Sequence, residues 1–373
     1  MKQQLLFWSI SIFLSLNLPA LPASENRDSV INDGPYLFLD GDTLRAILIA
    51  DNMKRESILL PGRSSEITLP SGQSVSYAEL TRTYRTKPKY RQSYKRVDSI
   101  AVISDVHGYY DNYLKQLEAN GIIDNDLNWK FGKGHFVFLG DAFDRGDEVT
   151  EILWHLFKLE KQAARAGGAV HLLLGNHEQM VLSGDLRYIH DKYTKVETIA
   201  GTTYSDLYSE NSVLGKWLRS KPVMLTINNI LFVHAGASPE LVQKGLKLKQ
   251  VNKIFAERIT GREADLPPGD AELDLLAGNS GPLWYRGFFR DTTLAVTDVD
   301  MILDFYCKEH IVVGHTPHKS ITILFDNKVI GIDTGMGYGR PGTMLIYKEG
   351  HFRTGSVSGV RSGSLWHSEG DVK

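Results

Sequence analysis

Five short apolar runs recur between residues 99 and 316, and each of them ends in small and polar residues. In chain order they read SIAVISD, HFVFLGD, VHLLLGN, ILFVHAG and HIVVGHT. Helix-like segments intervene, among them YYDNYLKQLEANG, EVTEILWHLFKLEKQAARAGG and TDVDMILDFYCKEH. Strands that alternate with helices indicate an α/β fold. Because the runs are continuously apolar, the strands are expected to be buried on both faces.

The polar residues that follow these runs are of the types that bind metal ions. They are Asp105, His107, Asp141, Asn176, His234 and His315. In an open α/β sheet the carboxyl ends of the strands form the crevice in which ligands bind, so one edge would collect all of these side chains. A single histidine after a strand is ordinarily a hydrogen-bonded turn residue. Five runs with the same kind of ending favour a shared site instead.

The side chains in this set predict a pair of divalent cations. Carboxylate oxygen combined with imidazole nitrogen suits zinc, iron or manganese better than calcium. Asp105 and His107 are two residues apart, so an extended backbone would point both side chains the same way. Asp141 offers two oxygens, which is enough to bridge two ions about 3.5–4 Å apart. His234 and His315 would complete a second, nitrogen-rich site.

The segment GDAFDRG, residues 140–146, carries more charge than a turn needs. It places Asp141, Asp144 and Arg145 between two glycines, directly behind a buried strand. Without a cation the two carboxylates would repel each other, and Arg145 would be the only nearby compensation. A guanidinium binds phosphate oxygens in pairs. The segment therefore indicates a site for metal ions and a phosphate.

The ordered motifs SDVHG, GDAFDRG, GNHE, HAG and GHT resemble those of the dinuclear metallophosphoesterase (calcineurin-like) superfamily. The longer GDAFDRG and GNHE resemble its phosphoprotein phosphatase branch, especially the bacterial Shewanella-like and cold-active protein-tyrosine phosphatases. The resemblance covers residues 97–348. It implies an α/β fold of the four-layer αββα sandwich type, with a small N-terminal β-rich extension outside it. Ser104 stands where the family's first motif usually has glycine.

The resemblance also implies a role for each site residue. Asp105, His107 and Asp141 would hold the first metal ion, and Asp141, Asn176, His234 and His315 the second. His177 of GNHE would be the general acid, oriented by Asp144, and Arg145 would grip the phosphate together with Asn176. Arg286, in the segment GPLWYRGFFR, is expected opposite Arg145 as a second phosphate ligand. The alternative is that Arg286 belongs to a core aromatic cluster and extends its guanidinium into solvent.

Three further residues and the lone cysteine are less clearly placed by the sequence. We interpret His318 as a solvated turn residue. Whether Asp333 and Arg340 line the site is left open. Cys307 is expected to pack between a helix and a strand, because no arginine and phosphate loop follow it as a cysteine-dependent phosphatase would require.

The expected activity is phosphomonoester hydrolysis by direct attack of a metal-bridging hydroxide, with phosphorylated protein, especially phosphotyrosine, as substrate by resemblance. Two divalent metal ions, of manganese, iron, zinc or a mixture, are the expected cofactors. The alternative within enzymes is a dinucleoside polyphosphate hydrolase or a phosphodiesterase with the same dinuclear site. The alternative outside enzymes is a metal-bound binding protein without turnover, which the complete set of residues disfavours.

The N-terminus has the pattern of a secretory signal peptide. Lys2 precedes an apolar run from Leu5 to Leu18, followed by small residues and prolines. The run is shorter than the ~20 residues that span a bilayer, so we expect cleavage near Ala23, a periplasmic or secreted protein, and no stable membrane insertion. A net charge of -2 gives no indication of nucleic acid as a partner.

The divisions of the chain combine composition with the extent of the family resemblance. Residues 1–23 are the predicted signal peptide, 24–96 a β-rich extension ending in a basic linker, 97–348 the catalytic domain and 349–373 a C-terminal tail. The linker, TRTYRTKPKYRQSYKR, is expected to cross the surface, and a docking surface for an acidic partner is the alternative. Residues 183–230 are expected to form a helical and loop-like cap beside the site.

Overall fold

A computed structural model describes residues 30–59, 66–69, 74–78, 80–81, 91–260, 269–359 and 363–365. In chain order its strands are β1 (Asp33–Asp40), β2 (Thr43–Ala50), β3 (Met53–Leu59), β4 (Glu66–Thr68), β5 (Ser74–Ser76), β6 (Ser93–Tyr94), β7 (Ser99–Ile103), β8 (His135–Phe138), β9 (Ala169–Leu172), β10 (Met224–Ile227), β11 (Ile230–Val233), β12 (His310–Val313), β13 (Thr322–Leu324), β14 (Val329–Gly331), β15 (Met344–Lys348) and β16 (His351–Gly355).

The helices are α1 (Tyr110–Ala119), α2 (Val149–Ala166), α3 (Asn176–Ser183), α4 (Asp191–Ala200), α5 (Tyr204–Leu207), α6 (Val213–Arg219), α7 (Pro239–Gln243), α8 (Leu248–Ile254), α9 (Ala271–Ala277), α10 (Gly287–Arg290) and α11 (Val296–Tyr306). A π-helical turn, Phe255–Ile259, continues α8, and a 3₁₀ turn spans Met336–Tyr338. The three segments predicted to be helical correspond to α1, α2 and α11. Gly167 ends α2 in the left-handed conformation, as its sequence predicts.

Two sheets form the centre of the molecule. The first has the strand order β16-β15-β7-β8-β9, in which β7, β8 and β9 run parallel. The second has the order β13-β14-β12-β11-β10-β6, with β11, β12 and β14 parallel. All five predicted apolar runs are strands in these sheets, three in the first and two in the second.

Alternation of side chains along the strands builds the layers. In β7, Ile100 and Val102 face a core cluster shared by the two sheets, whereas Ala101 and Ile103 join the cluster that contains α1 and α2. The second sheet behaves in the same way, because its outer face joins the cluster that contains α7, α8 and α11. Burial on both faces explains the continuous apolar runs. The predicted four-layer αββα arrangement is confirmed.

The N-terminal β-rich region is also confirmed. Strands β1, β2 and β3 form an antiparallel three-stranded sheet, and β4 pairs with β5. The three-stranded sheet contacts the helices around the site: the indole N–H of Trp154 in α2 donates to the carbonyl of Pro35 at 3.0 Å. The N–H of Leu39 donates to the carbonyl of Asn211 at 3.0 Å, just before α6.

Three segment boundaries differ in detail from the sequence-based divisions. Within the predicted linker, β6 pairs with β10, so this part of the segment belongs to the second sheet. Within the predicted cap, residues 191–219 are largely helical, but β10 is a sheet strand. Beyond residue 348, β16 pairs with β15 and extends the first sheet. A hairpin partner of this kind is hard to recognise from HFRTG alone.

Parts of the four predicted segments lie outside the described residues: the whole signal peptide; residues 24–29, 60–65, 70–73, 79 and 82–90 of the extension with its linker; residues 261–268 of the catalytic domain; and residues 360–362 and 366–373 of the tail. The described part of the chain contains no helix with the length and apolar composition that crossing a membrane requires.

Candidate active site

The structure brings the six residues predicted to be metal ligands together at the carboxyl ends of the strands. Those from the first sheet follow β7, β8 and β9, and those from the second follow β11 and β12. Each of the six side chains is buried. Backbone hydrogen bonds hold the loops against one another: the N–H of His107 donates to the carbonyl of Asp141 at 2.9 Å, and that of Gly314 to the carbonyl of His234 at 2.7 Å.

Left-handed backbone conformations are concentrated at this edge. Positive φ angles between 49° and 72° occur at Asp105, His107, Asp141, Asp144, Arg145 and His315. This conformation costs non-glycine residues about 1–3 kcal/mol each and persists where the surrounding structure imposes it. The expectation that Asp105 and His107 share a direction through an extended backbone is therefore wrong. The strand ends at Ile103, and tight turns bring both side chains into the site.

Two glycines make the close packing of the ligands possible. A Cβ at Gly175 would lie 2.1 Å from Oδ1 of Asp141, and one at Gly314 would lie 2.4 Å from Oδ2 of Asp105. Both distances are too short for any side chain. The glycines of GNHE and GHT therefore let backbone lie directly against the carboxylates.

Asp141 is shared by two clusters of candidate ligands. Ligand atoms of His107, Asp141 and His177 lie within 4.8 Å of one another, and so do those of Asp141, His234 and His315. Oδ2 of Asp141 is 3.5 Å from Nε2 of His107 and 3.3 Å from Nε2 of His234. A carboxylate between two clusters has the geometry expected of a bridge between two ions.

The histidines are oriented so that ring nitrogens face the clusters. Nδ1 of His107 donates to the carbonyl of Phe143 and Nδ1 of His234 to that of Leu139, each at 2.7 Å. In both rings this leaves Nε2 toward Asp141, an arrangement typical of metal-binding histidines. Within the described structure, the buried Nε2 atoms of His107 and His315 have no hydrogen-bond partner. Buried polar atoms without partners are costly, so these residues fit divalent cations.

The electrostatics of the site also favour cations. Burial, followed by the charges of Asp333 and Asp141, raises the pKa of Asp105 well above its ordinary value. Burial lowers the pKa of His234, but Asp141 and Asp105 outweigh it and raise this pKa to about 10. Burial keeps His107 and His315 neutral, with the pKa of His315 lowered to about 2. The crowded carboxylates thus favour a positive charge at this place, which a metal ion that displaces the proton of His234 would supply.

Asp105 is placed differently from His107, Asp141, His234 and His315. Both of its carboxylate oxygens accept the backbone N–H of His315, at 2.9 and 3.1 Å. It is not part of either compact cluster, and His177 takes the third place beside His107 and Asp141. Its charge nevertheless acts on His234, which places it at the same centre. Its role as a ligand of the first metal remains a prediction.

His177 and Asp144 form a buried pair beside Asp141. Nδ1 of His177 lies 2.5 Å from Oδ2 of Asp144, and Nε2 is 3.9 Å from Oδ2 of Asp141. Burial lowers the pKa of His177, but the charges of Asp141 and Asp144 have the larger effect in the opposite direction. The pKa of His177 therefore lies above its ordinary value. A carboxylate that accepts Nδ1–H leaves Nε2 free to carry a second proton. This is the arrangement of a general acid.

Two guanidinium groups lie at the same edge. Nη1 of Arg286 donates to the carbonyl of His315 at 2.9 Å and to Oγ1 of Thr316 at 3.2 Å, so Arg286 lies beside the histidine loop. The guanidinium of Arg145 lies over the ring of Tyr338, 4.6 Å from its centroid. In the described structure the Arg145 side chain makes no hydrogen bond, so its N–H groups are available for a phosphate.

Glu178 is a residue of this site that the sequence analysis missed. Its buried carboxylate accepts four backbone N–H groups, from Asp141, Ala142, Phe143 and Gly175, at 2.7–3.3 Å. It therefore fixes the GDAFDRG loop to the start of α3. The signal was the last letter of GNHE: an acidic residue in the first turn of a helix is easily interpreted as a capping residue alone.

The less clearly placed residues have distinct positions. Asp333 is buried and accepts the N–H of Gly335 at 2.9 Å. Its charge acts on Asp105, and burial raises its own pKa to about 6. His318 is half-buried, 4.7 Å from the ring of Phe289, which contradicts a solvated turn residue. Arg340 is exposed and donates to the carbonyl of His318 at 3.2 Å. Cys307 is exposed at the left-handed end of α11, so the predicted packing role is wrong.

Comparison with known proteins gives concordant results. The model of the Metallophos family, the calcineurin-like phosphoesterases, matches residues 99–330. The cold-active protein-tyrosine phosphatase of a psychrophilic Shewanella species has a solved structure with 36% sequence identity and a TM-score of 0.83, over 90% of this chain and 99% of that one. Shewanella-like protein phosphatase 1 of Plasmodium berghei is 30% identical, over 65% of this chain and 69% of its own. Shewanella-like protein phosphatase 2 of Arabidopsis thaliana is 24% identical, over 74% and 78%.

Proposed function

We propose that this chain, which belongs to the calcineurin-like phosphoesterase family and is a dinuclear metal-dependent phosphatase, acts on phosphate monoesters and above all on phosphotyrosine in proteins. The observation that carries the proposal is the shared carboxylate of Asp141, with the His177–Asp144 pair on one side and two guanidinium groups at the same edge. The preference for phosphotyrosine is supported by the 36% identity to the cold-active tyrosine phosphatase.

The ions would be held in two groups by this chain. Asp105, His107 and Asp141 would hold one, and Asp141, Asn176, His234 and His315 the other. When bound, two divalent cations supply positive charge to the phosphoryl oxygens and lower the pKa of water, which makes direct attack on phosphorus feasible near neutral pH.

The protein's own groups would bind the phosphate and supply a proton. Arg145 and Arg286 would bind phosphoryl oxygens, because a guanidinium presents paired N–H donors to them. His177 would transfer the proton on Nε2 to the leaving oxygen, while Asp144 holds Nδ1–H and stabilises the charged ring. Positioned acids of this kind contribute about 10²–10⁴ in rate.

The first experiment compares ester classes with the metal-loaded protein. We expect turnover of p-nitrophenyl phosphate to exceed that of bis(p-nitrophenyl) phosphate, because two guanidinium groups suit a terminal phosphoryl group with free oxygens. A panel of phosphotyrosine, phosphoserine and phosphothreonine peptides then ranks the substrates. Preferential cleavage of the diester or of diadenosine tetraphosphate would favour the nucleotide hydrolase instead.

We also propose that the protein is exported. The support is the N-terminal pattern alone, a basic residue followed by an apolar run and a small-residue segment. Mass spectrometry of the protein isolated from a periplasmic fraction is expected to give a mature N-terminus near Ser24. An intact Met1 in the soluble cell interior would contradict export.

A further inference from the structure

Two aromatic side chains stand out by their exposure. Among the described Phe, Tyr and Trp residues, only Tyr188 and Tyr338 are exposed, with 49% and 61% of their surface accessible. All others are buried or half-buried. Exposed large aromatic rings are characteristic of recognition surfaces, where a ring offers apolar area at low conformational cost. Both of these residues contact members of the candidate active site.

Tyr338 lies directly against the phosphate-binding arginine. One face of its ring is covered by the guanidinium of Arg145, at 4.6 Å from the centroid. The preceding residue, Gly337, makes this approach possible, because a Cβ there would lie 2.2 Å from the His107 ring and 3.1 Å from Nη1 of Arg145. The short turn Met336–Tyr338 therefore lies against His107 and Arg145, while most of the surface of Tyr338 stays exposed.

Tyr188 lies beside the proposed general acid. Its ring centroid is 5.5 Å from that of His177, and its carbonyl accepts the N–H of Arg145 at 3.0 Å. The main chain of this residue is therefore fixed to the GDAFDRG loop. The guanidinium of Arg187 lies over the Tyr188 ring, 5.6 Å from its centroid, and 49% of the surface of Tyr188 stays accessible.

From these contacts we infer that Tyr188 and Tyr338 bind the aryl ring of the substrate and so select phosphotyrosine over phosphoserine. The inference rests on the proposed phosphomonoesterase function. The leaving oxygen must come to His177 to receive its proton, and the phosphoryl group must come to Arg145. The first carbon atoms of the leaving group would then lie near His177, which contacts Tyr188, and near Arg145, which contacts Tyr338.

The chemistry of the two substrates differs at this point. In phosphotyrosine the aromatic ring is bonded directly to the leaving oxygen, so it arrives beside the two tyrosines. In phosphoserine one CH₂ group separates that oxygen from the peptide main chain, which offers no ring to stack. Aromatic pairs contribute beyond simple burial of area, so the tyrosines would discriminate between the substrates.

The test uses the full metal-loaded protein and two peptides of identical sequence that carry phosphotyrosine or phosphoserine. We expect Tyr188→Ala and Tyr338→Ala each to lower the ratio of kcat/KM, phosphotyrosine over phosphoserine, by roughly 2- to 10-fold. Tyr188→Phe and Tyr338→Phe keep the ring and are expected to keep the ratio. Met301→Ala, on the exposed face of α11, is the control for a surface substitution.

Binding of phenylphosphonate and methylphosphonate, measured by calorimetry, supplies a second readout that needs no turnover. Wild-type protein is expected to prefer phenylphosphonate, and both alanine variants to lose part of that preference. An equal loss of activity on both peptides would mean that the rings only position Arg145 or His177, and would overturn the inference. Unchanged ratios would also overturn it. If the wild type cleaves neither peptide, the proposed function fails, while the phosphonate comparison still decides the role of the tyrosines.

Discussion

His177 depends on two neighbouring carboxylates for its chemistry. Asp144 holds Nδ1, and Asp141 lies 3.9 Å from Nε2. Together they raise the pKa of the ring against the effect of burial, which favours the protonated form that a leaving oxygen needs. The same side chain belongs to one of the two candidate metal clusters, together with His107 and Asp141.

We predict that His177→Asn lowers kcat about 10²–10⁴-fold for phosphoserine peptides and far less for p-nitrophenyl phosphate. The alkoxide of serine is a poor leaving group without a proton, whereas p-nitrophenolate leaves readily as an anion. Steady-state kinetics over leaving groups of graded basicity measure the difference. Equal losses for every leaving group, or none, would contradict the role of general acid.

For individual residues of the candidate active site, the sequence predicted the residue types well but the contacts between them less well. Asp144, Arg145 and His177 belong to short motifs, and the resemblance to a family implied their roles. The grouping of His177 with His107 and Asp141 depends on loops from separate strands, and so does the hydrogen bonding of Asp105 to His315. Tyr188 and Tyr338 carry no local signal, because exposure is a property of the folded surface.

The GDAFDRG loop is held in place by α3, the helix that follows strand β9. The carboxylate of Glu178 in α3 accepts N–H groups from three consecutive loop residues and from Gly175. One of these bonds is to Asp141 itself, whose left-handed conformation would otherwise be unfavourable. One buried side chain thus helps to maintain the conformation of Asp141.

Glu178→Gln is predicted to lower the free energy of unfolding by roughly 3 kcal/mol, since an amide N–H₂ would face N–H donors and leave at least one unsatisfied. Metal affinity should fall as well, because the loop that carries Asp141 loosens. Urea unfolding and metal titration measure the two effects. Glu118→Gln, an exposed change on α1, is the matched control, and similar behaviour of both variants would count against this role for Glu178.

The strands were predictable because burial on both faces leaves a strong local pattern. The turns after them were not, since left-handed conformations at Asp105 and His107 arise from contacts with the neighbouring loops. Strand β16 was missed for a related reason. It lies at the edge of its sheet, and only pairing with β15 distinguishes it from a polar tail.

On the scale of the whole molecule, the N-terminal sheet is connected to the catalytic loop through aromatic rings. Tyr36 of β1 lies 5.9 Å from Tyr208, and Tyr208 lies 4.9 Å from Phe143 of GDAFDRG, measured between ring centroids. Both contacts are edge-to-face, the arrangement that aromatic rings favour. The extension therefore supports the helices that lie under the site, a long-range role that its sequence did not reveal.

A buried ionisable cluster lies at the same junction and should make stability depend on pH. Burial, followed by the charge of Asp33, raises the pKa of Glu151 to about 7 from an ordinary value of 4.5, although Lys192 opposes this shift. Between about pH 4.5 and 7 the folded protein retains a proton that the unfolded chain releases. The free energy of unfolding therefore falls as pH rises through this range and is constant for this group above it.

Glu151→Gln removes this titration, so the variant should lose less stability than wild type between pH 5 and pH 8. Urea unfolding at the two pH values gives the comparison, with the exposed change Glu240→Gln as control. Identical pH dependence of Glu151→Gln and wild type would show that the carboxyl titrates normally.

We propose that Asp141 is shared by two metal ions on which phosphatase activity depends. Elemental analysis of protein purified without chelator, coupled to assays with p-nitrophenyl phosphate, tests it directly in wild type and Asp141→Asn. We predict about two divalent ions per wild-type chain and activity that chelation removes and divalent cations restore. In Asp141→Asn we predict loss of metal together with loss of activity. An Asp141→Asn protein that keeps two ions and full activity would contradict the account.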